Sequence, residues 1–457
     1  MKQAVVKFPY AADSTVIFDG LAHRPWSVFL DSGRPYSEQG RYDILTADPR
    51  ITLVTRGRKT QIQEAGLSRY SLADPFALVQ DALGEPIVSR EGIPFGGGAI
   101  GYFGYDLGRR LERLPNLAQA DERIPEMAVA IYDWALVVDH RERRSRLVGP
   151  PHRLQAIREL LSRGTSGEVF RWPPFRVLGP VTPNMTRHRY LESVRRIKRY
   201  IRDGDCYQVN FAQRFAAPAE GSPWDGYKGL RRLNFAPFGA YLNSPYCQVM
   251  SSSPERFLQC REGMVETRPI KGTCPRGKDP IEDLMRREAL QASTKDRAEN
   301  LMIVDLLRND LGRVCAIGSI EVPELFKLES FSRVHHLVST VTGRLGEGET
   351  ATSLLRACFP GGSITGAPKI RAMEVIEALE PQRRGVYCGA IGYLGFDGAM
   401  DTNIAIRTLV YADGMVRFWA GGGIVDDSDP ELEYQETYHK AAPLLELLAQ
   451  KSKERCG

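Results

Sequence analysis

In "RPIKGTCPRGKDP" (268–280), Lys271 stands between Ile270 and Gly272, at the end of a predicted strand over 264–270. Gly-Thr and two prolines then turn the chain into a loop. A cation there is either a solvated loop side chain or an amine presented to a ligand. Two helical patterns carry acids. "STKDRAENLMIVDLLRND" opens at Ser293 and sets Asp296, Glu299, Ile303 and Asp310 on roughly one side. Glu299 lies one turn before Ile303, at the border of the apolar face, where a solvated acid is less expected. "SDPELEYQETYHKAAPLLELLAQ" opens at Ser428, and Glu431 three residues on reads as a capping box with Pro430 in the first turn. Glu433, Glu436 and Lys440 then share one stripe. Just upstream, "AGGGIV" (420–425) predicts a glycine nest whose backbone N–H groups approach an anion. Together these residues suit Mg²⁺ and a carboxylated ligand, because Mg²⁺ takes few carboxylates plus substrate oxygens and water. The stripe on its own is equally that of a solvated face with an i,i+4 pair worth ~0.3–0.5 kcal/mol.

The elements that must position these groups fall into two regions. Residues 1–164 hold short strand-like runs punctuated by Gly and Pro, among them "ITLVTRG" (51–57) and "MAVAIYDWALVVDH" (127–140), followed by a helical run at 151–164. The proline-rich stretch 165–184 reads as a linker. Residues 185–457 mix strands with long helices and read as the catalytic domain. Strands and helices do not alternate regularly, so the expected class is α+β: a large composite of packed mixed or antiparallel sheets with flanking helices.

Composition narrows the function classes. The 457 residues carry 61 basic and 56 acidic side chains, a balance that argues against a nucleic-acid partner. No window approaches the roughly 18 uncharged apolar residues of a membrane span, and "MKQAVVKFPYAAD" lacks a secretory core. Eight cysteines without CxxC pairs fit a reducing compartment, so the expected location is cytoplasmic. "GGGAIG" (96–101) matches GxGxxG literally, but no helical periodicity follows it, which argues against dinucleotide binding. "FPGGSITGAPK" (359–369) lacks the ending of a phosphate-binding loop.

Between residues 204 and 441 the motifs as a set resemble the chorismate-utilising enzymes. They are "GDCYQVNFAQR", "SPERF", "TRPIKGT", "KDRAENLMIVDLLRND", "VHHLVS", "FPGGSITGAPK", "YCGAIGY", "NIAIRTL", "AGGGIVDDS" and "EYQETYHKA", in the family's order. "HRPWSVFLDSG", "GRYDIL" and "GGGAIGYFGYDLGRR" extend the resemblance into the first half. It implies the fold of the family's anthranilate-forming members. It also implies Mg²⁺ held by Glu299 and Glu436, with Glu433 and Asp296 nearby. Arg407 and Tyr387 would take the enolpyruvyl carboxylate of chorismate. Backbone amides of Gly421, Gly422 and Gly423, with Lys440 and Thr273, would complete a carboxylate cradle. His336 would sit near the departing 4-hydroxyl, and Glu255 would protonate it. Around Ser32, Arg41 and Tyr42 the resemblance implies a possible tryptophan pocket.

The same resemblance interprets Lys271. Anthranilate-forming members carry alanine in that slot, whereas members that aminate chorismate at the 4-position carry a lysine. That lysine attacks C2 as the 4-hydroxyl leaves, and ammonia then attacks C4 and expels it, so one displacement becomes two. The attacking amine must be neutral, yet a free lysine is unprotonated to under roughly one part in a thousand at pH 7. A like charge such as Lys440, with desolvation, is expected to lower its pKa. Relatives that add water carry a lysine base where this chain has Gln208, so ammonia is the expected nucleophile. No amidotransferase motif is present, and the resemblance implies a separate glutamine amidotransferase subunit that supplies the ammonia.

Overall fold

The strand Met127–Tyr132 is buried at every position, and its two faces serve different cores. Met127, Val129 and Ile131 enter one cluster, whereas Ala128, Ala130 and Tyr132 enter another. Strict alternation of side chains puts both sets inside because the strand lies in the middle of a layered structure, which is why its sequence is apolar throughout. The computed structural model describes residues 3–36, 40–88, 92–165, 171–330 and 334–453.

Among these residues, two large sheets form, of 13 and 12 strands, and all pairing within them is antiparallel. They pack face to face through an apolar layer that includes Val28, Leu242 and Val410 from the first and Ile100, Tyr102 and Ile391 from the second. Helices cover the outer faces. Pro430–Lys453 and Pro223–Leu233 lie against the first sheet, and Pro75–Leu83 and Thr294–Leu311 against the second. The architecture is the expected α+β composite of antiparallel sheets and flanking helices.

The division of the chain differs from the sequence reading. The first sheet runs from Ala4–Phe8 through Ser27–Asp31 to Phe238–Asn243 and on to Met415–Ile424 and Gln208–Glu220, so both halves of the chain build it. The second likewise joins Gly98–Phe103 to Ala390–Gly395. Residues 1–164 and 185–457 therefore share their sheets. Within the expected linker 165–184, Arg176–Val177 and Thr182–Pro183 pair with Gln208–Glu220, and Phe175 is buried. Proline there limits the pairing to two-residue pieces at a sheet margin, where a missing N–H is tolerated. "GGGAIG" contributes to the strand Gly98–Phe103, as the absence of helical periodicity implied. No helix among the described residues is long and apolar enough to cross a membrane.

One buried ion pair ties the site-bearing elements together. Lys369 Nζ donates to Asp310 Oδ2 at 2.6 Å and to the Cys358 carbonyl at 3.0 Å. Asp310 ends the helix Thr294–Leu311, and Lys369 begins the helix Lys369–Leu379. Asp310 thus serves the frame, although sequence spacing put it on the same side as Glu299. Lys369→Met should strand a buried carboxylate and cost about 3–5 kcal/mol, read as a lower urea midpoint. The double variant Asp310→Leu/Lys369→Met should recover most of that loss.

Candidate active site

The chain passes between the two sheets at two adjacent places, and each passage carries a candidate site residue. Gln248–Ser253 belongs to the first sheet and Arg256–Arg261 to the second, so Glu255 falls in the crossover. Met400–Ile404 and Thr408–Ala412 make the reverse passage, with Arg407 between them. The crossovers are laced together: Ile404 N donates to the Glu255 carbonyl at 3.0 Å, and Ser252 N to the Arg407 carbonyl at 3.1 Å. Arg407 adopts φ 51°, a left-handed conformation that costs a non-glycine residue of order 1 kcal/mol and collects at functional sites. Among the described residues its guanidinium has neither an ion pair nor a hydrogen-bond acceptor. Burial lowers its pKa, although Tyr387 opposes this. A half-buried guanidinium without an acceptor is chemically suited to pair with an anion. Tyr387 is buried and stacks on Trp419, with ring centroids 5.9 Å apart.

Lys271 begins the irregular part of the strand Ile270–Pro275, whose register against Val334–Arg344 shifts between Ile270 and Thr273. The shift turns its side chain inward. Its Nζ lies 3.0 Å from Glu299 Oε1 and donates to the Ser363 carbonyl at 3.3 Å. Burial alone lowers its pKa, but Glu299 outweighs this, with Glu255 and Glu436 adding, and the amine is held above its ordinary value. The expected depression by Lys440 is therefore corrected: carboxylates dominate here, and Lys271 is an ammonium. Lys440 is itself engaged, 2.6 Å from Glu436 Oε1 and 2.9 Å from the Gly421 carbonyl. Glu299 responds oppositely. Burial raises its carboxyl, but Lys271, Lys440 and the 2.7 Å bond from Gln208 Nε2 hold it below the usual range.

Gly421, Gly422 and Gly423 do not form the predicted nest. They lie in the strand Met415–Ile424, opposite Ala212, Phe211 and Asn210 of the long strand Gln208–Glu220. Their lack of side chains serves close approach. A Cβ on Gly423 would stand 1.9 Å from Gln208 Nε2 and 2.8 Å from Glu299 Oε1. A Cβ on Gly422 would stand 3.3 Å from Glu433 Oε2 and 3.5 Å from Glu436 Oε1. The predicted capping box is also replaced. Asp429 caps the helix by accepting from Glu431 N at 2.9 Å and Leu432 N at 3.0 Å. Ser428 instead donates its hydroxyl to Glu433 Oε1 at 2.6 Å, because the helix begins at Pro430 and the N-cap position therefore falls to Asp429.

The donor chemistry fits a hard divalent cation: Glu299 and Glu436 bring carboxylates from different helices to the same end of the glycine strand. The four acids read from the sequence are less united than expected. Among the described residues, no three Asp, Glu, His or Cys side chains converge in metal-holding geometry. Glu433 is drawn to Ser428, and burial, then Glu436, raises its carboxyl. Asp296 packs against the loop, its Cβ 3.0 Å from where a side chain on Gly272 would begin.

Glu255 is buried, and desolvation raises its carboxyl despite Lys271, a hydrogen bond from Ser363 and the Ile270 amide. A carboxyl raised this way suits a proton donor. His336 accepts or shares a proton with Thr273 Oγ1 at 2.7 Å. Desolvation, then Arg407 and His335, pushes its pKa down to about 4, so its imidazole is neutral. Thr273 thus orients a histidine in addition to any ligand. His335 faces away, bonded to Ser330 and Asp283. Ser32, Arg41 and Tyr42 are engaged elsewhere. The Ser32 hydroxyl and amide both go to Asp43, Arg41 pairs with Asp139, and its guanidinium stacks over Tyr42 at 4.7 Å. The sequence reading missed Ser363, whose hydroxyl bonds Glu255 at 2.9 Å. Its motif was visible, but its role depends on two neighbours distant in sequence.

The chain belongs to the chorismate binding enzyme family, whose match covers residues 33–446 and so spans both crossovers and the strand that carries Lys271. The chain is 48% identical over 455 residues to "Aminodeoxychorismate synthase component 1" of Klebsiella aerogenes, covering 98% of this chain and 99% of that one. It is 39% identical to "Anthranilate synthase component 1" of Thermus thermophilus, covering 93% of both. Among solved structures, anthranilate synthase component I from Streptococcus pneumoniae superposes with a TM-score of 0.80 at 32% identity, covering 90% of this chain and 93% of that one.

Because folded His336 titrates near 4 and an unfolded histidine near 6.5, the unfolded chain binds the proton more readily. Stability is complete above about pH 6.5 and falls as the pH drops toward 4, by about 3 kcal/mol in all. His336→Asn should remove that part of the acid sensitivity, measured as the thermal midpoint against pH.

Proposed function

We propose that this chain converts chorismate and ammonia to 4-amino-4-deoxychorismate, as the first component of a two-subunit aminodeoxychorismate synthase. The observation that carries this reading is Lys271: its amine is buried against Glu299 and Ser363, at the slot where the anthranilate-forming resemblance would require alanine. The high identity to aminodeoxychorismate synthase relatives over nearly the full chain supports it. The word "component" in their names supports a partner, and an amidotransferase that releases ammonia from glutamine meets the chemical need. The amination serves the route to 4-aminobenzoate and folate, and a cytoplasmic location agrees with free cysteines.

In this reading Arg407 and Tyr387 fix the enolpyruvyl carboxylate, and Lys440 with the glycine strand borders the ring carboxylate. Glu299 and Glu436 would hold Mg²⁺, which when bound supplies positive charge opposite that carboxylate. Lys271 releases one proton to solvent once Glu299 no longer engages it, and the free amine attacks C2. The C4–O bond breaks as Glu255 passes its proton to the departing oxygen, releasing water. Neutral His336, held by Thr273, borders the leaving group without repelling an incoming ammonia. Ammonia then bonds to C4, and the C2–N bond to Lys271 breaks. Gln208 has no basic nitrogen, so water is not activated in its place.

Chorismate, Mg²⁺ and ammonium at alkaline pH should give 4-amino-4-deoxychorismate, trapped as 4-aminobenzoate when a lyase is added; anthranilate fluorescence without lyase would overturn the reading. Lys271→Ala should reduce turnover at least a hundredfold with the fold intact by circular dichroism, as expected for loss of a nucleophile. Glu436→Ala should raise the Mg²⁺ concentration for half-maximal activity at least roughly tenfold, and an unchanged metal titration would remove Glu436 from the metal site.

A further inference from the structure

Ser363 touches both reactive groups from one residue. Its hydroxyl donates to Glu255 Oε1 at 2.9 Å, and its carbonyl accepts from Lys271 Nζ at 3.3 Å. Both Ser363 and Glu255 are buried, so water does not compete for these bonds.

The segment around Ser363 is held from several sides. The carbonyl of the next residue, Ile364, accepts from Arg384 Nη1 at 2.9 Å and from Asn210 Nδ2 at 3.0 Å. Arg384 is itself fixed by a fully buried pair with Glu380 at 2.7 Å. Thr365 closes the turn by donating its hydroxyl to the Gly361 carbonyl at 2.9 Å, and Asn210 N donates to the Thr365 carbonyl at 2.8 Å. On the other side, a Cβ on Gly362 would stand 2.7 Å from Leu306 Cδ2, so the segment packs directly on the helix that carries Glu299. Ser363 cannot shift without breaking buried hydrogen bonds or overlapping that helix.

We infer that Ser363 is a positioning residue for the proposed amination, setting the acid Glu255 and the nucleophile Lys271 at a fixed separation. The inference rests on the function proposed above. The Ser363 hydroxyl on one oxygen of Glu255, together with the Ile270 amide, fixes the orientation of the carboxyl that gives its proton to the departing hydroxyl. As that proton leaves with the oxygen, forming water, the Ser363 O–H is already placed to stabilise the carboxylate that remains. The carbonyl of the same residue keeps the Lys271 amine beside its acid, so bond formation at C2 and protonation at the leaving oxygen share one geometry.

The test compares Ser363→Ala, Ser363→Thr and Ser363→Cys in the full chain with chorismate, Mg²⁺ and ammonium. Loss of a hydrogen bond to a charged group corresponds to a roughly tenfold to hundredfold fall in kcat for Ser363→Ala, with KM for chorismate within about twofold. Ser363→Thr keeps the hydroxyl and should retain most of the turnover, and Ser363→Cys, a weaker donor of similar size, should fall between. Unchanged kcat in Ser363→Ala or Ser363→Cys overturns the inference, as does a Ser363→Thr variant as impaired as Ser363→Ala. If the unaltered chain forms aminodeoxychorismate and these variants do too at its rate, only this inference fails; if the unaltered chain forms none, the functional reading fails with it.

Discussion

A desolvated ammonium between carboxylates organises this pocket. Lys271 brings one positive charge into a space shared by Glu299, Glu255 and Glu436. At an effective dielectric of about 20, a pair in contact at 3 to 4 Å gains roughly 4 to 6 kcal/mol of attraction, which works against the cost of removing both charges from water. The balance explains the opposite responses of the two partners, the amine held up and Glu299 held down. It also makes the resting site self-neutralising. The group that must become a nucleophile is stored as a cation, and the carboxylate suited to a metal stores it.

The fold supplies that arrangement by letting two antiparallel sheets exchange chain between neighbouring interior strands. Residues in such crossovers are not committed to either ladder, so their side chains are free to face a pocket while their backbones remain tied. Glu255 and Arg407 occupy these places, and the hydrogen bonds between the crossovers keep them in register. The left-handed backbone of Arg407 is tolerated because both flanking strands are fixed.

The glycine strand contributes by absence. Gly422 and Gly423 leave room for acids from one helix and for Gln208 and Glu299 from elsewhere, so groups far apart in sequence meet across a backbone. By contrast, the exposed Lys440–Glu436 pair contributes little stability, since both side chains are more than a third exposed. Its placement matters for charge around the ligand more than for holding the fold.

Local pattern determined much of this protein from sequence alone. Helical spacing located the start of the helix Thr294–Leu311 near Ser293, and apolar runs located strands such as Met127–Tyr132. Motif order marked Lys271, Glu255, His336 and Arg407 as a set. Tertiary structure decided the rest. Whether glycines make a nest or a strand depends on the partner strand, which here begins at Gln208. Whether Ser428 or Asp429 caps a helix depends on where Glu433 lies. The linker became a sheet margin because the long strand offered unpaired groups to it. The charge of Lys271 was the furthest from reach. A pKa sums desolvation and every nearby charge, and three of the deciding carboxylates come from positions 255, 299 and 436, which only folding brings within a few ångströms of one amine.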